Sequence, residues 1–410
     1  MLKSMLRSTS GKSFLFPFLL ISSLYLLWGC AHGMLDVLNK HFQTCFDMSK
    51  AESGFVQFST YLAYFIMAIP AGAILKRFGY KKGLFMGLMV FAIGAFAFIP
   101  AAFVNSPIPF LIALFVLACG LCIIETGAHP YATVLGPPES AAQRINVAAA
   151  FNGVGWIIGP LIGGTLIFGA DVSDNMATAK PYILVGIVVL MVAVTLLFVK
   201  MPEIVPPTDD KKETTDRKSL VSIWKKRSFV LAVVAQFLYV AAQTGIFGFF
   251  INYVLELYPS LTTLQASRML SFGGMGLFLV GRLTSSWFMK WVDPARLLTF
   301  FALAASVCMV LVIMSLGMVS LIALCASIYF MSMMFPTIFA LGVHGLGVQT
   351  KQASSYIVMG VAGGAVSPLL MGLMGEKNMA IGFFIPLFCF FFILYYGWRQ
   401  SHMKAKVDLL

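Results

Sequence analysis

The chain has 410 residues, 60% of them hydrophobic and only 11% charged, and a net charge of +12. Soluble domains carry about 25% charged residues, so the composition excludes a soluble domain; long apolar runs near the ~20 residues that cross a bilayer indicate a polytopic α-helical membrane protein rather than a barrel of ~10-residue alternating strands. The positive charge does not mark a nucleic-acid binder, because the basic residues sit in short loops between apolar runs.

Lys3, Arg7 and Lys12 precede an apolar run that begins at Phe14. A signal peptide needs a shorter apolar core and a small residue where Trp28 stands, so the run predicts a first spanning helix over 14–38. Spans at 53–74, 80–103, 107–133, 144–169 and 180–200 follow. Residues 201–226 are polar and contain Pro206-Pro-Thr-Asp-Asp-Lys-Lys-Glu-Thr-Thr-Asp216, which predicts a solvated linker. Six further spans are predicted at 227–256, 263–290, 295–317, 318–344, 351–375 and 379–400. The expectation is an all-α membrane protein of twelve transmembrane helices: an N-terminal six-helix half (1–200), a linker (201–226) and a C-terminal six-helix half (227–410).

Of the 28 Lys and Arg, only Lys40, Lys50, Lys180 and Lys377 fall in outer loops when the N-terminus is placed inside. This bias puts both termini and the linker in the cytoplasm. No glycosylation sequon occurs in an outer loop, which fits a bacterial inner membrane. Arg282, near the end of the eighth span, reads as a cytoplasmic gate or helix-end cation. Most of the seven cysteines lie within apolar runs and show no repeated metal-ligand spacing. Cys119-Gly-Leu-Cys122 reads as two small packing residues on a helix, so neither a metal nor a bound cofactor is expected.

Two acids stand out. Glu125 interrupts the apolar stretch from Phe110 to Pro130. A carboxylate at the centre of a spanning helix costs about 2.5–3.5 kcal/mol. Protonating a glutamate of reference pKa ~4.3 at pH 7 costs about 3.7 kcal/mol. The two penalties nearly cancel, so this acid is poised to gain or lose a proton. Gly127 and Pro130 loosen the helix around it and free backbone groups to line a cavity. Asp36 lies ~33 Å along the first helix, near its outer end, where the alternative is an interfacial aspartate wetted by water. His32 precedes Asp36 by one turn and His129 follows Glu125 by one turn, so each acid has an imidazole on its own helical face. Each histidine either shares the proton or, more simply, stays neutral and donates a hydrogen bond.

The segments Leu27-Trp-Gly-Cys-Ala-His-Gly-Met-Leu-Asp36, Glu125-Thr-Gly-Ala-His-Pro130, Arg144-Ile-Asn146, Phe151-Asn152, Gln236-Phe-Leu-Tyr239, Phe335-Pro-Thr-Ile-Phe339 and Ser354-Ser-Tyr-Ile-Val-Met359 fall in order along both halves. Together they resemble the fucose permease family of sugar–proton symporters in the major facilitator superfamily. The resemblance implies two six-helix halves working by alternating access, with the proton as coupling ion. It links Asp36 to protonation and Glu125 to sugar binding and coupling. It also shows departures: His32 and Gly33 stand where asparagines are expected, His129 where another is, and Ala149 where a glutamine is. The implied substrate is a neutral monosaccharide of fucose, galactose or glucose type; an amino or acidic sugar held by His32 or His129 is the second reading.

Asn152, Gln236, Gln243 and Asn252 are amides on predicted spans. Each offers donors and an acceptor, suited to sugar hydroxyls or to neighbouring helices. The substrate-binding expectation falls on Glu125, His32, His129, Asn152, Gln236, Tyr239 and Gln243, and the proton-coupling expectation on Asp36 and Glu125. Tyr239 and Phe339 could stack on a sugar ring, although packing explains most of the 38 Phe. The expected partners are the sugar, the proton and the lipid bilayer, with the chain acting as a monomer and without nucleic acid. A membrane sensor or intramembrane enzyme fits less well, since neither a signalling domain nor a nucleophile–base pair is evident.

Overall fold

The structure is a computed structural model that describes residues 14–104, 106–136, 141–169, 176–199, 223–289, 291–343, 346 and 350–407. Lys3, Arg7, Lys12 and linker residues 201–222 lie outside the described residues. As expected, the protein is all-α. The first half contains α1 (Leu15–Cys45), α2 (Phe55–Phe78), α3 (Tyr80–Phe96), α4 (Ile108–Val134), α5 (Ala141–Phe168) and α6 (Ala179–Phe198). The second half opens with α7 (Arg227–Leu257), α8 (Thr263–Arg268) and α9 (Gly276–Phe288). It continues through α10 (Pro294–Ile313), α11 (Met318–Met331), α12 (Met334–Val343), α13 (Thr350–Met359), α14 (Gly363–Met374) and α15 (Phe384–Val407).

Among the described residues, eleven helices are long and apolar enough to cross a membrane. The eighth predicted span is the one that is not among these eleven. It is helical from Thr263 to Phe288, but a π-helical stretch, Met269–Met275, separates α8 from α9. Gly273 and Gly274 lie in that stretch, and glycine holds the regular α-helical turn weakly. The first span is longer than its predicted 14–38, because α1 runs on to Cys45. Asn39 and His41 ended the apolar run in the sequence, yet both are buried inside protein.

Buried and exposed residues are distributed as a bilayer requires. Ile69 and Phe198 are more than four-fifths exposed, and many other large apolar side chains share that outward face. Polar side chains such as Asp36, Gln236 and Asn252 are buried instead, where protein rather than hydrocarbon surrounds them.

The chain forms two compact units. The first takes Met1–Met48, Ser59–Pro207 and Thr263–Ser271; the second takes Ser49–Phe58, Thr208–Thr262 and Phe272–Leu410. In the first, α1 and α5 cross closely. A Cβ added at Gly29 would meet the backbone of Asn152, one at Gly155 that of Leu26, and one at Gly159 that of Cys30. Small residues let the two backbones approach, and dispersion rather than hydrophobic burial holds them in lipid. Asn152 adds a bond across this crossing, its Nδ2 donating to the Tyr25 carbonyl at 3.2 Å. In the same unit, Ser267 Oγ donates to the Pro160 carbonyl at 3.0 Å. Cys119 and Cys122 are free thiols, and Cys122 packs with Ala71 and Ile123 in a small apolar cluster.

The second unit includes the short helix Lys50–Ser53, which is capped by a reciprocal Ser49–Glu52 box. Lys50 Nζ reaches Glu256 Oε1 at 2.5 Å and the carbonyls of Gly375 and Glu376 at 2.7 and 2.9 Å. The other Glu256 oxygen accepts from the Met379 amide at 2.7 Å. All three donors of the ammonium are thereby used.

Candidate functional site

Tyr25, Trp28, His32 and Asp36 recur at intervals of three, four and four residues on α1. That spacing places them on one face of the helix, and Tyr25, His32 and Asp36 are each less than a tenth exposed. Glu125 and His129 occupy one face of α4. The two faces meet in a closely packed pocket, closed in this structure to a size without room for a water molecule, lined by Leu24, Tyr25, Trp28, Ile124, Glu125, Ala128 and His129. Glu125 is the carboxylate in this lining, and the hydroxyls of Tyr25 and Tyr64 are its electrostatic neighbours. Both hydroxyls are buried without meeting hydrogen-bond geometry to any partner among the described residues.

The imidazoles are set among rings. His129 lies 5.2 Å from Tyr25 and 5.9 Å from Trp28, centroid to centroid. His32 lies 5.6 Å from Tyr64, 5.7 Å from Trp156, 6.0 Å from Trp28 and 6.3 Å from Tyr61. Neither ring turns its Nδ1 to a carboxylate. His32 Nδ1 bonds the Trp28 carbonyl at 3.1 Å, and His129 Nδ1 bonds the Glu125 carbonyl at 2.9 Å. In each case Nδ1 donates to a main-chain carbonyl rather than to the neighbouring carboxylate. For His129 the carbonyl is that of Glu125 itself, and His32 turns back toward Trp28, away from Asp36.

Asp36 is not in the pocket. It sits 11 residues along α1 from Tyr25, ~16 Å at 1.5 Å per residue, with Tyr182 of α6 as an electrostatic neighbour. It is only 4% exposed, and α1 continues beyond it to Cys45. Asp36 is thus enclosed by protein rather than wetted in this structure, and the helix end lies more than two turns further on.

In the second unit, Gln236, Tyr239 and Gln243 follow one another at intervals of three and four residues on α7. Gln236 and Tyr239 are fully buried, and both amide atoms of Gln236 and the hydroxyl of Tyr239 lack a partner among the described residues. Leaving a buried polar group unmatched costs about 1–3 kcal/mol, so three such atoms on one helix face mark a polar surface. Tyr239 stacks edge-on against Phe335 at 6.0 Å. Phe339 packs instead in an apolar cluster with Ile223, Phe229, Leu346, Ala353 and Ile357. Arg282, expected as a cytoplasmic gate or helix-end cation, has partners on two sides. It lies inside α9, two turns short of the end, with its guanidinium 4.7 Å over the Phe278 ring and its Nε donating to the Ser332 carbonyl at 3.3 Å. Tyr239 is its electrostatic neighbour, so the guanidinium adds to the polar groups around that hydroxyl.

The sequence reading missed Tyr25, Trp28, Tyr61, Tyr64 and Trp156. The signal for two of them was present, since Tyr25 and Trp28 continue the stripe that His32 and Asp36 define. Tyr61, Tyr64 and Trp156 come from other helices and carry no such local mark.

An all-α protein with lipid-facing apolar surfaces, an acid among aromatic rings on one helix and a second, buried acid on another has the make-up of a multi-pass membrane transporter. Residues 17–368 match the profile of the Major Facilitator Superfamily. The chain belongs to that superfamily. It is 36% identical over 419 residues to the L-fucose-proton symporter of Escherichia coli (strain K12), covering 97% of this chain and 95% of the relative. It is 34% identical over 397 residues to the glucose/galactose transporter of Brucella abortus biovar 1 (strain 9-941), covering 95% of each. Among solved structures it is similar to the superfamily transporter FucP in the outward conformation, with a TM-score of 0.70, 34% identity and coverage of 95% and 99% of the two chains. It also matches the D-xylose-proton symporter at a TM-score of 0.73 over 93% and 97% of the chains; at 15% identity that likeness concerns the fold alone.

Proposed function

We propose that this chain is a proton-coupled symporter of a neutral monosaccharide of fucose, galactose or glucose type. The observation that carries the reading is the Glu125 pocket, where a carboxylate faces aromatic and imidazole side chains. Glu125 accepts hydrogen bonds from sugar hydroxyls, and the flat faces of Tyr25 and Trp28 pack against the sugar ring. Asp36 takes the coupling proton. Its protonation removes a charge that resists closure, and the loaded carrier then rocks between its two access states. The halves 1–200 and 227–410, joined by the linker 201–226, are the rocking bodies. His32 supports the pocket from behind Trp28. Gln236, Tyr239 and Gln243 supply the hydrogen bonds of the second half. The protein works as a monomer in a bacterial inner membrane, with both termini in the cytoplasm and no bound cofactor. One proton crossing 100 mV supplies about 2.3 kcal/mol, roughly fifty-fold accumulation.

The decisive measurement is sugar-dependent alkalinisation outside right-side-out vesicles, with L-fucose, D-galactose and D-glucose. Wild type responds to at least one of them, and Asp36→Asn responds to none. No proton movement with any sugar sinks the symport reading. An amino sugar is the second reading, favoured by a pocket whose charge is a carboxylate flanked by ring faces that attract cations. An acidic sugar is disfavoured, because it would bring two like charges together.

A further inference from the structure

Which sugar enters turns on the polar atoms that the pocket presents, and the His129 tether settles one of them. A backbone carbonyl can only accept a hydrogen bond. The 2.9 Å contact from His129 Nδ1 to the Glu125 carbonyl therefore places a hydrogen on Nδ1. A neutral imidazole has one N–H, so Nε2 is left as a lone pair, able to accept and unable to donate. Nε2 of His129 has no hydrogen-bond partner among the described residues. The ring is held in place by Tyr25 on one side and Trp28 on another, and it lines the pocket beside Glu125. His32 carries the same kind of tether but is not in the lining, so the two imidazoles are not equivalent.

We propose that His129 is a specificity-determining residue, an acceptor-only imidazole that demands a donating hydroxyl at one position of the monosaccharide. This deepens the reading of the Glu125 pocket as the sugar site and rests on it. Glu125 and His129 Nε2 together form a pair of acceptors, suited to two hydroxyls of one sugar. A substituent that accepts but cannot donate, such as fluorine, leaves the imidazole lone pair unmatched. An amine at the same position donates and is tolerated.

The test is sugar exchange in proteoliposomes, which needs no proton gradient, using monodeoxy and monodeoxyfluoro derivatives of whichever of the three sugars is transported. In wild type, at least one ring position is expected at which the fluoro derivative competes about ten-fold more weakly than the parent, as the deoxy derivative does, and the position that faces His129 is the one the amide variant changes. His129→Asn introduces an amide that can donate. In that variant the fluoro derivative recovers to within about three-fold of the parent, while the deoxy derivative stays weak. His129→Gln serves the same purpose should the asparagine variant fail to reach the membrane. If wild type accepts every fluoro sugar as well as the parent, or if the discrimination is unchanged in the amide variant, the proposal fails. Nitrogen-15 spectra of the sugar-free wild-type protein, with the His129 signal assigned by its loss in the variant, probe the tautomer directly. They should show Nδ1 protonated and Nε2 bare, and the opposite tautomer overturns the assignment. Failure of the pocket reading looks different: Glu125→Gln would then exchange the parent sugar with wild-type affinity.

Discussion

The interiors of the two units differ in kind. The first holds two acids away from any helix end, Asp36 and Glu125, together with the imidazoles of His32 and His129 and a wall of aromatic rings. Every described acid of the second unit has an end-of-helix task. Glu52 closes a capping box, Glu256 and Glu376 bond the segment around Lys50, and Asp293 caps α10 through the amides of Ala295 and Arg296. Inside its helices the second unit offers Gln236, Gln243, Tyr239 and Arg282. Among the described residues, the carboxylates set inside helices away from their ends thus belong to the first unit, and the second offers amides, a phenol and a guanidinium there. The lesson is that two bodies of similar helical make-up can carry different interior chemistry.

That contrast can be broken most severely at the acids. Asp36→Asn is expected to abolish accumulation, a loss of at least about the fifty-fold gradient that one proton supports, while sugar exchange persists. Vesicle uptake with and without an imposed gradient reads the difference, and an equal loss of both would assign Asp36 to binding instead. Glu125→Gln is expected to lose both accumulation and affinity, since it acts on proton and sugar together. Next comes the second unit. Tyr239→Phe removes a hydroxyl without a protein partner among the described residues, and the expected outcome is about three- to ten-fold weaker exchange with unchanged proton-to-sugar ratio. A variant that binds equally well and melts higher would show that the hydroxyl serves no ligand. Trp28→Ala opens the pocket wall and should weaken sugar competition by about two- to ten-fold, the range of an aromatic contact of about 0.5–1.5 kcal/mol. The smallest effect belongs to Lys50→Ala. Its partly exposed pair with Glu256 contributes about 0.2–1 kcal/mol, so the melting shift should be slight and should shrink further in high salt.

Much of this contrast was legible in the linear sequence. The cost of a lone carboxylate in Phe110–Pro130 marked Glu125 without any coordinates, because hydrocarbon tolerates few charges and gives each a reason to be there. Asp36 was legible as a residue but not in its environment. The hydropathy pattern ended the first span at residue 38, whereas α1 reaches Cys45. Hydropathy registers transfer into lipid, and Asn39 and His41 are buried in protein, where polar neighbours compensate them; Thr178 bonds His41 at 2.7 Å. The break between α8 and α9 was likewise hidden, since a Gly-Gly pair is compatible with an unbroken helix until packing decides. The contacts of Arg282 were hidden for a related reason: its neighbours along the chain suggest a basic helix end, and only folding sets it over Phe278.

The sequence by itself determined the membrane class, the order of the apolar segments and the two acids set within them, because the bilayer acts on each residue locally and one at a time. Tertiary structure alone decided which groups share the Glu125 pocket, how α1 and α5 come close enough for Asn152 to bond Tyr25, and which nitrogen of His129 keeps its lone pair. Those outcomes depend on contacts between distant segments and on a main-chain carbonyl that looks the same at every position, so no pattern of side chains along the chain records them.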